Sequence, residues 1–173
     1  YKAWDTVLNR YVAIKEFYTS GIVNRVPGTN NVMLYAAKRE KEYYAQKQRF
    51  WDEAVNTKSF NQDNSKRNHN IVDVLDYFEE NDTAYFVMEF LDGVPLNKYL
   101  KEKGGKLSVQ EAADIVLKIA NALITVHEKG FVHRDISPDN IFMCKGGVVK
   151  LIDFGAARFA ENEDAQLSII LKP

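Results

Sequence analysis

Apolar and polar positions alternate in short blocks over residues 1–17, and the pattern predicts two short strands. Asp5 to Arg10 supplies the polar turn between them, and Val12-Ala13-Ile14 is an apolar run of the buried-strand kind. Residues 18–31, from Tyr-Thr-Ser-Gly to Pro-Gly-Thr-Asn-Asn, are dense in turn formers and predict a loop. Met33 to Phe60 contains no Gly or Pro and is rich in Ala, Lys, Glu, Gln and Arg, so it predicts one long helix or two in succession. Residues 61–70 are wholly polar and predict a second loop. Ile71–Glu79 and Thr83–Glu89 predict a strand pair turning at Glu80-Asn81-Asp82.

Asp92-Gly93 marks a break, and Pro95 suits the first position of a short helix. Ser108 and Glu111 have capping-box spacing, so a helix is expected from Val109. Its apolar residues Ala112, Ile115, Val116, Ile119, Ala120, Ala122, Leu123 and Val126 recur at helical spacing, and Gly130 ends it as a left-handed cap. Short strands follow at Phe131, at Ile141–Cys144 and at Val148–Ile152, with Gly146-Gly147 as a hairpin turn. A strand-rich first part with one helical stretch, then a helical part, gives an α+β class.

Composition narrows the field. The 173 residues suit one ordinary domain and are 46% apolar and 27% charged, which excludes disordered and low-complexity classes. Lys and Arg total 23 against 24 Asp and Glu, so the basic excess expected of a general nucleic-acid binder is missing, and no nucleic-acid partner is expected. One cysteine, Cys144, forms no internal disulfide, and with three histidines it is too little for a structural zinc site. No apolar run approaches the length of a membrane span. The first residue is Tyr, so the true N-terminus is expected to lie elsewhere.

Three motifs carry chemistry. His133-Arg134-Asp135-Ile136-Ser137-Pro138-Asp139-Asn140 sits in a short loop after a helix, and a curled loop brings Asp135 and Asn140 to one point. Asp153-Phe154-Gly155 follows the buried run Val148–Ile152, which puts an acid at a strand end. Val12-Ala13-Ile14-Lys15 puts a lysine on a buried strand.

In this order the motifs resemble those of a protein kinase, whose signature set is well characterised. The wording Asp-Ile-Ser-Pro-Asp-Asn and Asp-Phe-Gly-Ala-Ala-Arg is similar to bacterial Ser/Thr-type kinases. Ala84–Leu91 resembles the strand and hinge joining the two kinase lobes. The resemblance implies a two-lobe fold with a small antiparallel-sheet N-lobe bearing one regulatory helix, and a mainly helical, truncated C-lobe. Residues 1–91 are expected to form the N-lobe without its first strand, plus the hinge, and residues 92–173 a partial C-lobe.

The resemblance also implies roles. ATP and Mg2+ are the expected cofactors, and a protein, through a Ser or Thr hydroxyl, the expected substrate. Lys15 is expected to hold the α- and β-phosphates. Its acidic partner is expected to be Glu53, with Asp52 and Glu42 as the other candidates. Asp135 is expected to accept or orient the substrate hydroxyl proton, and Asn140 and Asp153 to hold magnesium. Met88 is expected at the back of the adenine pocket. Ala13 and Phe142 are expected on either side of the ring, and the backbone of Glu89 and Leu91 on its edge. His133 reads as core, packed under Phe154. A cytoplasmic location is expected for such a domain.

Departures from the family pattern are also visible. The Gly-rich phosphate loop is absent, and the chain ends at Pro173 before any Ala-Pro-Glu motif, so a fragment of a longer gene product is expected. Taken alone it is expected to be unstable and inactive. Ser137 stands where Ser/Thr kinases usually carry a lysine near the γ-phosphate, and it offers a hydroxyl without charge. A pseudokinase-like scaffold is the alternative reading, against which Lys15, Asp135, Asn140 and Asp153 are all present. The stretch between Lys15 and Glu53 is longer than the family usually has. It reads as a surface decoration or, alternatively, as a regulatory or docking insertion. In the family an arginine before the catalytic Asp marks a pocket for an activation-segment anion, so Arg134 and Arg158 read either as partners of phosphorylated Ser168, Glu161, Glu163 or Asp164, or as residues beside solvated acids with any phosphosite beyond Pro173.

Overall fold

The computed structural model describes residues 1–160, and the chain divides into two compact units. The first comprises residues 1–59 and 73–90; the second comprises residues 60–72 and the chain from Leu91 onward.

The first unit is built on a four-stranded antiparallel sheet in the order β1-β2-β6-β5. β1 (Lys2–Asp5) and β2 (Arg10–Glu16) form the expected hairpin, with Val12 buried on β2. β5 (Val74–Glu80) and β6 (Thr83–Glu89) meet at a two-residue turn, Asn81-Asp82, with φ of 52° and 59°. Positive φ at both central residues matches the right-handed twist of the strands, and Asn and Asp tolerate it. Glu80 is thus the last residue of β5 and lies outside the turn. The strand expected from Ile71 starts at Val74, because Ile71 and Val72 pair with Leu151 in the second unit.

The 18–31 loop is only partly a loop. Val23–Arg25 (β3) and Val32–Leu34 (β4) form a two-stranded hairpin within the predicted insertion. Met33 and Leu34 are spent on this pairing, so the helix expected from Met33 starts at Glu40, after a 3-10 turn at Ala37–Arg39. That helix, α1 (Glu40–Phe60), carries Glu40 and Glu42 in its first turn and Lys58 in its last, which suits the helix dipole. Ile22, Val23 and Val32 of the insertion are buried with Phe17, Tyr43, Phe50, Ala54 and Phe86. Ile22, Val23 and Val32 thus anchor the insertion in the core, while most of residues 18–31 remain on the surface.

In the second unit, β7 (Gly93–Pro95), α2 (Leu96–Glu102) and α3 (Val109–Glu128) precede β8 (Phe131–Val132), β9 (Ile141–Cys144), β10 (Val149–Leu151) and β11 (Arg158–Phe159). β10-β9-β7 form one antiparallel sheet and β11-β8 another. Pro95 is the residue before α2 rather than its first helical position. Ser108 caps α3 by accepting from the Glu111 N–H at 3.2 Å. The return bond of a capping box is not made. The Glu111 carboxylate instead accepts from the Tyr99 hydroxyl at 2.6 Å and pairs with Lys103 at 3.5 Å. Gly130 closes α3 at φ 77°. Ile115, Ile119, Ala122 and Val126 form the buried face of α3, whereas Val116, Leu117 and Ile124 are exposed. No helix among the described residues is long and apolar enough to cross a membrane.

Candidate active site

Each unit carries its own share of the predicted residues. In the first, β2 places Lys15 so that its Nζ donates to Glu53 Oε1 of α1 at 2.6 Å. The Glu53 side chain is 9% exposed and that of Lys15 is 38% exposed, so the pair is half-shielded from water. The other two candidate partners are engaged elsewhere: Asp52 accepts from Gln48, and Glu42 forms an ion pair with Arg39. Ala13 and Met88 are cross-strand neighbours on β2 and β6, and Met88 packs against the core beneath them. With Lys15 they line an open concavity of about 600 Å³. The Glu89 N–H donates to the Asp73 carbonyl at 3.0 Å, and its carboxylate accepts from the Asp73 N–H at 2.8 Å. That N–H is therefore spent on holding the ends of β5 and β6.

In the second unit the loop between β8 and β9 curls as its spacing requires. The Asn140 amide donates to the Asp135 carbonyl at 3.0 Å and to Asp135 Oδ2 at 2.8 Å. Both amide hydrogens are thereby committed, which fixes the orientation of the amide and leaves Oδ1 as its uncommitted acceptor among the described residues. The Asn140 N–H donates to the Ser137 carbonyl, and the Ile152 N–H donates to the Asn140 carbonyl at 2.9 Å. The last bond ties this loop to the residue before Asp153. Asp153 itself is exposed at φ 60°, and the Gly155 N–H donates to its Oδ1 at 3.3 Å. Phe142 faces Lys150 across the β9–β10 pair. Leu91 makes no hydrogen bond through its N–H or carbonyl to another described residue.

Phe154 is buried and contacts Phe60 and His133, with ring centroids 5.0 and 4.7 Å away. His133 is 1% exposed, and its Nδ1 accepts from the Asp135 N–H at 3.3 Å, so the ring proton resides on Nε2. Burial pushes the His133 imidazole below its ordinary value. The Ile152 carbonyl and the charges of Asp135 and Asp153 pull the other way, the carbonyl without a hydrogen bond of normal geometry. His133 is thus a neutral core residue that supports the backbone of Asp135. Ser168, Glu161, Glu163 and Asp164, the expected sources of an anion for Arg134 and Arg158, lie outside the described residues.

Hard oxygen donors are what magnesium takes, usually one or two from protein with the rest from water and phosphate. Asn140 Oδ1 and the Asp153 carboxylate fit that demand. No group of three or more His, Cys, Asp or Glu that could hold a metal unaided occurs among the described residues. Reading from the sequence missed Glu16 and Arg25, an ion pair one residue beyond Lys15.

Residues 19–171 match the family model described as protein kinase domain. The chain is 32% identical to PrkC, a serine/threonine-protein kinase of Bacillus subtilis, over 91% of this chain and 20% of that protein. It is 44% identical to the serine/threonine-protein kinase PknA of Mycobacterium tuberculosis over 51% of this chain and 21% of that one. The chain therefore spans about a fifth of the length of these relatives. The solved structure of PpkA-294 in its apo form superimposes with a TM-score of 0.80 at 29% identity, covering 100% of this chain and 59% of that one. With residues 19–171 matched by that family model, this chain belongs to the protein kinase family and resembles its bacterial serine/threonine members.

Proposed function

We propose that the chain is the catalytic portion of an ATP-dependent kinase that transfers the γ-phosphate to a protein hydroxyl, of Ser or Thr. Residues 1–91 act as the N-lobe and hinge, and residues 92–173 as part of the C-lobe. The observation that carries this reading is the Asn140 amide, which holds Asp135 with both hydrogens and leaves one oxygen for a cation.

Phosphoryl transfer asks a protein for placement and charge compensation more than for covalent help. Lys15, oriented by Glu53, neutralises and holds the α- and β-phosphates. Ala13, Met88 and Phe142 contact the adenine ring, and the backbones of Glu89 and Leu91 meet its edge. At Glu89 the carbonyl is the group for this contact, because its N–H is already bonded to Asp73. Asn140 Oδ1 and Asp153 hold magnesium, which supplies charge neutralisation at the phosphates. Asp135, fixed by Asn140, orients the substrate hydroxyl and receives its proton. Ser137 offers a hydroxyl to the phosphate without the charge a lysine would bring. A cytoplasmic location, where ATP and magnesium are abundant, belongs to the same reading. In the full-length protein, Asp153→Ala should abolish magnesium-dependent transfer of radiolabel from ATP. Transfer at the wild-type rate would remove the metal assignment.

A further inference from the structure

Neighbouring residues of a strand project to opposite faces. Lys15 meets Glu53 of α1, so the next residue, Glu16, projects from the other face of β2. The Glu16 side chain is only 5% exposed. Arg25 Nη2 lies 2.6 Å from both of its oxygens, the Tyr85 hydroxyl donates to Oε1 at 3.0 Å, and the Tyr1 hydroxyl donates to Oε2 at 2.9 Å. Burial disfavours the Glu16 carboxylate, but these three donors overcome burial and hold its carboxyl below the usual range.

Arg25 ends β3, so this ion pair anchors the insertion hairpin to the face of the sheet away from α1. The same hairpin reaches α1 on the other side. Ile22, Val23 and Val32 are buried in one core with Tyr43, Phe50 and Ala54 of α1. Arg39, just before α1, donates to the Gly21 carbonyl at 2.8 Å. The hairpin and α1 also share an anchor at the β5–β6 turn. Asn31 donates to Asp82 Oδ2, the Val32 N–H to the Asn81 carbonyl, and the Tyr43 hydroxyl to the Asp82 carbonyl. The insertion therefore straddles the end of the sheet, gripping β2 by a part-buried charge pair and α1 by apolar packing. Tyr18 and Arg25 of the insertion line the same concavity as Lys15 and Met88.

We propose that Arg25 is a positioning residue for the Lys15–Glu53 pair: by locking Glu16, it fixes the hairpin that sets where α1 presents Glu53 to Lys15. The proposal rests on the phosphotransfer reading only for its consequence on rate. The geometric claim concerns Lys15 and Glu53 themselves.

The test uses the full-length protein as wild type, Arg25→Met and Arg25→Lys. The reactivity of Lys15 toward a small amine-acylating reagent, without nucleotide, is read by mass spectrometry well below each protein's unfolding temperature. Exposed Lys98 serves as the internal reference. Arg25→Met is expected to raise Lys15 labelling roughly 3- to 10-fold and lower kcat by a similar factor, the range typical of coupling through packed elements. Arg25→Lys, which keeps the charge but not the fork, is expected between the two. A stabilising role alone would lower the unfolding temperature and leave Lys15 labelling unchanged, and that result overturns the proposal. If Arg25→Met does not fold, Arg25→Lys decides: unchanged Lys15 labelling there overturns it equally. A wild type without transfer activity, whose Lys15 labelling still rises in Arg25→Met, supports the positioning claim and removes only the phosphotransfer reading.

Discussion

Replacing Asn140 by aspartate changes one NH2 group into an oxygen, and the structure makes the consequence calculable. Both hydrogens of that group serve Asp135, one on its carbonyl and one on its carboxylate. Such bonds are worth about 1 kcal/mol for a neutral acceptor and about 1.5–3 kcal/mol for a charged one. Asp135 is exposed, so water replaces part of what is lost, and Asn140→Ala should cost about 1–2 kcal/mol. Asn140→Asp does more, because it sets a second carboxylate at the 2.8 Å contact with the first. Two unit charges at that separation repel by about 1.5 kcal/mol in water and about 6 kcal/mol at an effective dielectric of 20. Exposure and relaxation favour the lower end, so Asn140→Asp should cost about 1–2 kcal/mol beyond Asn140→Ala near pH 8. Two facing carboxyls relieve the strain by taking up a proton, so proton affinity is higher in the folded variant than in the unfolded one. The corresponding stability is present at low pH and lost as pH rises through that raised value. Denaturant unfolding of wild type and both variants at about pH 5 and about pH 8 reads this directly. The gap between Asn140→Asp and Asn140→Ala should be open at the higher pH and narrow at the lower. Equal stabilities at the higher pH, or a gap that does not change with pH, would refute the contact geometry.

Other outcomes follow from the same structure. A Cβ on Gly93 would lie 2.0 Å from the Met143 carbonyl oxygen of β9, which is backbone and cannot step aside. Gly93→Ala should therefore cost about 2–4 kcal/mol by displacing β7, and an unchanged thermal midpoint would contradict it. Burial holds the His133 imidazole below its ordinary value of 6.5. As pH falls below that value the unfolded chain takes up a proton that the folded chain does not, so stability drops. His133→Leu should flatten this part of the pH profile relative to wild type, and an identical slope would show that His133 is not its source. Val116, Leu117 and Ile124 lie exposed on α3. Residues 1–173 alone should therefore self-associate, and a monodisperse monomer in analytical ultracentrifugation would disprove that.

Local pattern was enough wherever an element is held by its own residues. The β1–β2 and β5–β6 hairpins, the Ser108 cap and the Gly130 stop were all legible because short-range turn and cap chemistry decides them. It failed where distant partners decide. The three-residue strands β3 and β4 are too short for periodicity, and they consume Met33 and Leu34, which otherwise read as helix. The capping box was half right because Tyr99 and Lys103, remote in the pattern, compete for Glu111. At the site, the Asp135–Asn140 contact was legible from a five-residue spacing that only a curled loop can close. The Lys15–Glu53 pair bridges 38 residues, and the surface pattern of α1 alone leaves Glu42, Asp52 and Glu53 equivalent candidates. Only the family resemblance favoured Glu53. Glu16 and Arg25 carried no signal, because nothing local tells a part-buried charge pair from two solvated side chains.

The central claim is that Asp135 serves the chemical step and not nucleotide binding. It is tested most directly by comparing Asp135→Ala with wild type in the full-length protein. Transfer of radiolabel from ATP to a protein substrate and equilibrium ATP binding are measured on the same preparations. The account predicts loss of transfer with ATP binding largely kept. Transfer at the wild-type rate by Asp135→Ala would contradict it.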